Sequence, residues 1–135
     1  MTKRITVGVG VTAALMVATL GTLAAQAPAF KRTILQQVEL SAPGREAVMA
    51  MAEFPSGSET GRHTHPGEEI SYVENGTFVL EVDGQPAKTL KSGESFMVPA
   101  GTIHNARPAA GSAAKVIAIY VIEKGKPVSI PAPAR

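Results

Sequence analysis

The stretch Gly57-Ser58-Glu59-Thr60-Gly61-Arg62-His63-Thr64-His65-Pro66-Gly67-Glu68-Glu69-Ile70-Ser71-Tyr72-Val73-Glu74-Asn75-Gly76 sets two histidines two residues apart, then a turn, then a carboxylate opening a new strand. Side chains two apart on a strand project from one face, so His63 and His65 point one way and Thr64 the other. Pro66-Gly67 turns the chain. Glu69, Ser71 and Val73 then share a face, read here as the inward one. Two imidazoles and a carboxylate can thus converge from adjacent strands.

A second block, Gly93-x5-Pro99-x-Gly101-x2-His104, carries the last of the three histidines. Pro99-Ala100-Gly101 is a turn that can bring the following strand back towards the first two. Taken singly, each residue has an ordinary reading: a strand histidine, a solvated strand-start glutamate beside Glu68, a set of turn glycines. The joint spacing argues for a metal site. The chain has no cysteine, and imidazole nitrogens with one carboxylate oxygen suit Fe(II), Mn(II), Ni(II), Cu(II) or Zn(II). Four such ligands on an octahedral ion leave two positions open, whereas on a tetrahedral zinc they leave none.

Outward from these blocks the pattern is short and period-two. Thr33 to Leu40 reads as a strand ended by Ser41-Ala42-Pro43-Gly44, and Ala47 to Phe54 as a second ended by Pro55-Ser56-Gly57-Ser58. Thr60 to His65 is brief. Glu69 to Glu74 and Thr77 to Val82 flank Asn75-Gly76, a strong two-residue hairpin signal. Turns follow at Asp83-Gly84 and at residues 91–94, then strands at Ser95 to Val98 and Ile103 to Arg107. Lys115 to Ile122 is an apolar run rich in Val and Ile, the pattern of a buried strand. Many short strands between turn signals predict an all-β sandwich or barrel.

The start of the chain differs. Lys3 and Arg4 precede the uncharged stretch Ile5 to Ala25, and small residues follow. This predicts an exported protein, periplasmic or secreted, with a signal peptide helix over 1–25 cleaved near Ala24 or Ala25. The alternative is an uncleaved N-terminal membrane anchor, since this uncharged stretch of 21 residues is long enough to span a bilayer. A linker at 26–32, a barrel over 33–123 and a Pro-rich tail over 124–135 complete the expected organisation.

The chain holds 13 basic and 11 acidic residues, for a net charge of +2. Without Lys3 and Arg4 the two signs balance, with no basic stripe. Nucleic-acid binding has no support. A mature chain of about 110 residues makes one domain.

Both blocks resemble the two conserved motifs of the cupin superfamily, small β-barrels of jelly-roll type. The first matches at Gly57, His63, His65, Glu69 and Gly76, the second at Gly93, Pro99, Gly101 and His104. The family's final Asn is replaced by Pro108, with an Asn early at Asn105, a departure that bears on the loop and not on metal binding. The resemblance implies one divalent transition metal held by His63, His65, Glu69 and His104. It implies a mononuclear dioxygenase-like oxidoreductase acting on a small molecule, with Glu69 also available as a base. A non-catalytic metal or small-molecule binding module, and an isomerase or lyase on a sugar or small acid, are the alternatives. Phe78, Leu80, Val82, Phe96, Val98 and Met51 are candidate pocket walls, each with a plain core reading. Arg62, Tyr72, Asn105 and Tyr120 are candidates for orienting a polar substrate. Pairing into a homodimer is expected, through Ile34–Leu40 or the tail.

Overall fold

The computed structural model describes Gln26 and residues 28–133, and the expected signal peptide lies outside them. Nine strands make up the regular structure of the described residues: β1 Lys31–Glu39, β2 Arg45–Phe54, β3 His63–Thr64, β4 Gly67–Val82, β5 Lys88–Lys91, β6 Ser95–Val98, β7 His104–Pro108, β8 Ala114–Glu123 and β9 Ile130–Pro131. No helix among them is long and apolar enough to cross a membrane. All pairings are antiparallel. One sheet runs β1-β2-β8-β4-β6 and the other β5-β4-β7-β3-β9, so the chain is an all-β curled barrel.

β4 joins the two sheets. Its first part pairs with β8 from Gly67↔Ile122 to Gly76↔Ala114. Its second part leaves β8 and pairs with β5 and β7. Asn75-Gly76 is therefore not a hairpin turn. The register slips between Val73 and Asn75, and the strand bends at this bulge into the other sheet. Gly76 has φ +83°, and a Cβ there would sit 2.1 Å from the Ala113 carbonyl oxygen. The same left-handed glycine serves a type I′ turn and a bulge, so the dipeptide signal is genuine and its use differs.

Burial follows strand alternation. In β2 the side chains of Val48, Ala50, Ala52 and Phe54 face inward, and Met51 faces outward. One apolar cluster holds Phe54, Val73, Phe78, Leu80, Leu90, Phe96, Val98 and Val116, with Phe78 and Phe96 stacked at 5.2 Å. A second holds Val48, Ala50, Ala118, Tyr120 and Ile122. β8 buries one face only, so the run Lys115 to Ile122 is not enclosed on both sides. Its outward residues meet outward neighbours in register: Met49, Ile119, Ile70 and Met97 form one row across four strands. Ile119, Ile70 and Met97 are exposed.

The Pro-rich tail is tied down. β9 pairs with β3, Thr64↔Ile130 and His63↔Pro131. Thr60 to His65 forms a regular strand only at His63–Thr64, because Gly61, at φ +73°, interrupts it.

Candidate metal centre

His63 and His104 sit opposite each other in the β3–β7 pair. Gly101, at φ +71°, donates its backbone N–H to the His65 carbonyl at 2.9 Å, locking the turn before His104 against the first motif. Glu69 lies across from Tyr120 of β8 and Val98 of β6. His63, His65, Glu69 and His104 are all buried, at 1–6% exposure. The ring centroids of the three histidines lie 4.2–5.0 Å apart. One ring nitrogen from each lies within 4.8 Å of the other two.

Each imidazole is oriented the same way. His63 Nδ1 donates to the Gly61 carbonyl at 2.8 Å, His104 Nδ1 to that of Thr102 at 2.9 Å, and His65 Nδ1 to that of Val128 at 2.5 Å. A backbone carbonyl only accepts, so Nδ1 must carry the hydrogen. Nε2 of each neutral ring then presents a lone pair. Outer hydrogen bonds of this kind fix the tautomer and aim of metal-ligating histidines.

Glu69 lies beside two of these three rings, outside the group of converging ring nitrogens. Its Oε1 accepts from the Ser71 hydroxyl at 2.7 Å. Its Oε2 lies 2.9 Å from His65 Nε2 and 3.4 Å from His104 Nε2. With Nδ1 protonated, these contacts set acceptor against acceptor, which a shared proton or a cation between them relieves. The donor set therefore fits a divalent transition metal.

Electrostatics favour a neutral His63 and an ionised Glu69. Burial lowers the His63 pKa from 6.5 to about 4, against the opposing effect of the Gly61 carbonyl. Burial alone would raise the Glu69 pKa, but the contacts with His104, His65 and the Ser71 hydroxyl outweigh it and hold the carboxyl well below its ordinary range, the ring contacts doing so through a proton shared with Oε2. Burial, then the nearby Glu69 charge, pushes the Tyr120 hydroxyl upward, so it stays protonated.

A family model for the cupin domain matches residues 50–120, just over half of the 135. The chain belongs to the cupin family. The match covers all four residues of this centre. No curated protein matches this cupin significantly in sequence. Among solved structures it is similar to a cupin-like protein from Thermotoga maritima, at 22% identity and TM-score 0.66, covering 78% of this chain and 77% of that one. It is also similar to the DMSP lyase DddQ from Ruegeria pomeroyi, at 19% identity and TM-score 0.63, over 76% of this chain and 51% of that one. An oxalate oxidase structure aligns at 22% identity and TM-score 0.56, over 64% and 46%. At these identities the likeness is one of fold.

The structure sorts the other sequence candidates. Phe78, Leu80, Phe96 and Tyr120 line the cavity beside the centre. Tyr120 stacks near His65, with ring centroids 4.7 Å apart. Val98 is buried in the apolar cluster and Val82 packs against that cluster. Met51 belongs to the outward face of β2, and Tyr72 is exposed at 48%. Arg62 pairs with Asp83 and donates to the Pro133 carbonyl. Asn105 is engaged with Glu59 and Glu81 on the outer side of β7. Neither therefore reaches the centre. Sequence reading missed Phe30, Arg32 and Thr60, which also line the cavity. It also missed the Val128 carbonyl that orients His65. No local signal marks these four, because long-range strand pairing brings them in.

Proposed function

We propose that this cupin is a metal-dependent enzyme acting on a small molecule, an oxidoreductase of dioxygenase type. The observation that carries the reading is the set of three buried, carbonyl-oriented imidazoles that converge on one another, with the Glu69 carboxylate beside His65 and His104. His63, His65, His104 and Glu69 would hold one ion of Fe, Mn, Ni, Cu or Zn. When bound, such an ion supplies Lewis acidity and, for the redox-active metals, an electron relay. Similarity in fold to an oxalate oxidase supports the oxidoreductase class.

The chain's own residues have defined parts. Ser71 holds Oε1 of Glu69 and leaves Oε2 for the ion. Phe54, Phe78, Leu80 and Phe96 exclude water from the cavity, which strengthens every electrostatic contact inside it. Tyr120 offers a neutral hydroxyl as a donor at the cavity wall. The open space beside the centre is about 20 Å³, room for about one water. The substrate must therefore be small, or displace part of the wall.

The two DMSP lyase structures among the similar folds support a lyase as the second reading. Oxygen consumption decides between them. Protein loaded in turn with each candidate metal is assayed against small oxygen-bearing acids, enediols and catechols, with and without air. Turnover that needs oxygen upholds the oxidoreductase, and equal turnover under nitrogen replaces it with the lyase.

Export to the periplasm or medium is part of the same proposal. So is pairing of two copies through the outward face of the β2–β8–β4–β6 sheet. The apolar row there is bounded by Lys115 opposite Glu53 at one end and Arg45 opposite Glu123 at the other. A two-fold axis parallel to these strands, lying between β2 and β8, sets acid against base at both ends. Light scattering at micromolar concentration reads a dimer if this holds and a monomer if it does not.

A further inference from the structure

The metal-ligand reading gives no role to one charged neighbour of the cavity, Arg32, whose side chain also meets the Tyr120 hydroxyl. Arg32 sits opposite Ala52 in the β1–β2 pair, and Ala52 is buried at 4%. Arg32 therefore projects inward from β1, and it lines the same cavity as His63, Glu69 and His104. Its guanidinium carbon lies 5.3 Å from the ring centroids of both Phe30 and Tyr120. No carboxylate lies within ion-pair distance of it among the described residues. Its Nε is buried without a hydrogen-bond partner. A buried N–H left unpaired is costly, and such groups in native proteins ordinarily have an acceptor.

Charge balance points the same way. Arg32 and Glu69 are the two side chains of fixed opposite charge that line this cavity, and the three imidazoles carry no charge when they ligate. Glu69 cancels one charge of a divalent ion and Arg32 adds one. With such an ion bound, two positive charges would stay uncompensated beside a largely apolar wall, Arg32 itself being half-buried. Charge held against apolar surroundings calls for a partner of opposite sign, and among the described residues no further carboxylate lines the cavity, which leaves that part to a ligand.

We propose that the cavity takes a small carboxylate or a comparable oxyanion, with Arg32 as the residue that selects its negative charge. The inference rests on the metal reading and names the ligand class of that same site. A planar guanidinium donates two parallel hydrogen bonds to a carboxylate, and the Tyr120 hydroxyl is a further donor on the same wall. Arg32 lies at the start of the edge strand β1 and Phe30 just before it, with Phe30 in ring contact with Phe54 at 4.8 Å.

The test uses the full chain loaded with cobalt(II), whose visible spectrum reports a change in coordination. Formate and acetate are titrated in, with acetamide as the neutral counterpart of acetate. The expected result is saturable spectral change with the two anions and none with acetamide. Arg32→Gln then weakens anion capture at least tenfold while cobalt content is unchanged, and Arg32→Lys recovers most of the loss. Equal capture of acetate and acetamide by the wild-type protein overturns the inference, whatever the variants do. Unchanged formate affinity in cobalt-loaded Arg32→Gln overturns it too. Failure of the wild-type chain to load cobalt is a different result and strikes the metal reading itself.

Discussion

Around the centre, the two faces of strands β4 and β8 depart from the usual pattern. A sheet packed on one side ordinarily sets apolar residues inward and polar residues outward. Here Glu69, Ser71 and Tyr120 face the interior with the three histidines, while Ile70, Tyr72 and Ile119 face out. The interior polar groups are costly to bury unless something pairs with them. The exterior apolar groups gain nothing unless something covers them. The inner face has the donors that suit a cation, and the outer face has the apolar surface that the proposed pairing would cover.

The sharpest probe of that contrast is one residue type on one strand. Ile122 and Ile119 lie three apart on β8, at 0% and 37% exposure. Ile122→Ala opens a hole in the second apolar cluster and should cost roughly 2–5 kcal/mol. In the monomer, Ile119→Ala should cost about 0.5 kcal/mol or less. Urea unfolding of both variants at low protein concentration checks the pair, and equal losses would break the distinction between the faces.

Next in size is the bend that lets β4 serve both sheets. Gly76→Ala forces a Cβ against the Ala113 carbonyl and a side chain into φ +83°. The expected cost is about 3 kcal/mol in unfolding free energy. A neutral effect would mean that the bend does not need this glycine.

A smaller effect separates the inner face by pH. Below its ordinary value of 6.5 the unfolded chain protonates His63, whereas the folded chain resists until about pH 4. The unfolded state thus binds more protons between pH 6.5 and 4, and stability falls as pH falls through that window. Glu69 works in the same direction, because its depressed folded pKa contributes stability that is lost as pH drops below its ordinary value of 4.5. Urea midpoints in the presence of a chelator at pH 7.5, 5.5 and 4.5 should decrease in that order. Replacing His63 with Gln should flatten the upper part of the trend.

The smallest effect belongs to the outer face. Ile70→Arg should leave metal content and unfolding of the monomer nearly unchanged while preventing the proposed pairing. Sedimentation of the variant beside the wild type reads this directly.

Much of this was legible in the sequence. Period-two spacing puts His63 with His65 and Glu69 with Ser71, and the structure keeps both pairs on inward faces. Alternation could not decide Met51, because β2 is apolar on both faces and its parity depends on which side meets the other sheet. Asn75-Gly76 misled for a related reason. A hairpin and a sheet-crossing bulge ask the same backbone freedom of the glycine, and only the partner strands tell them apart. Arg32 and Val128 reach the centre through the pairing of β1 with β2 and of the tail with β3, contacts that local pattern does not encode.

The central claim is that the carbonyl-oriented imidazoles and Glu69 hold one transition-metal ion. Equilibrium dialysis against Fe(II), Mn(II), Ni(II), Cu(II) and Zn(II), followed by elemental analysis, tests it most directly, with the His63→Ala/His65→Ala double variant as the control. The prediction is about one ion per wild-type chain for at least one metal, and none in a variant that still unfolds cooperatively. Equal metal in the two proteins would contradict it.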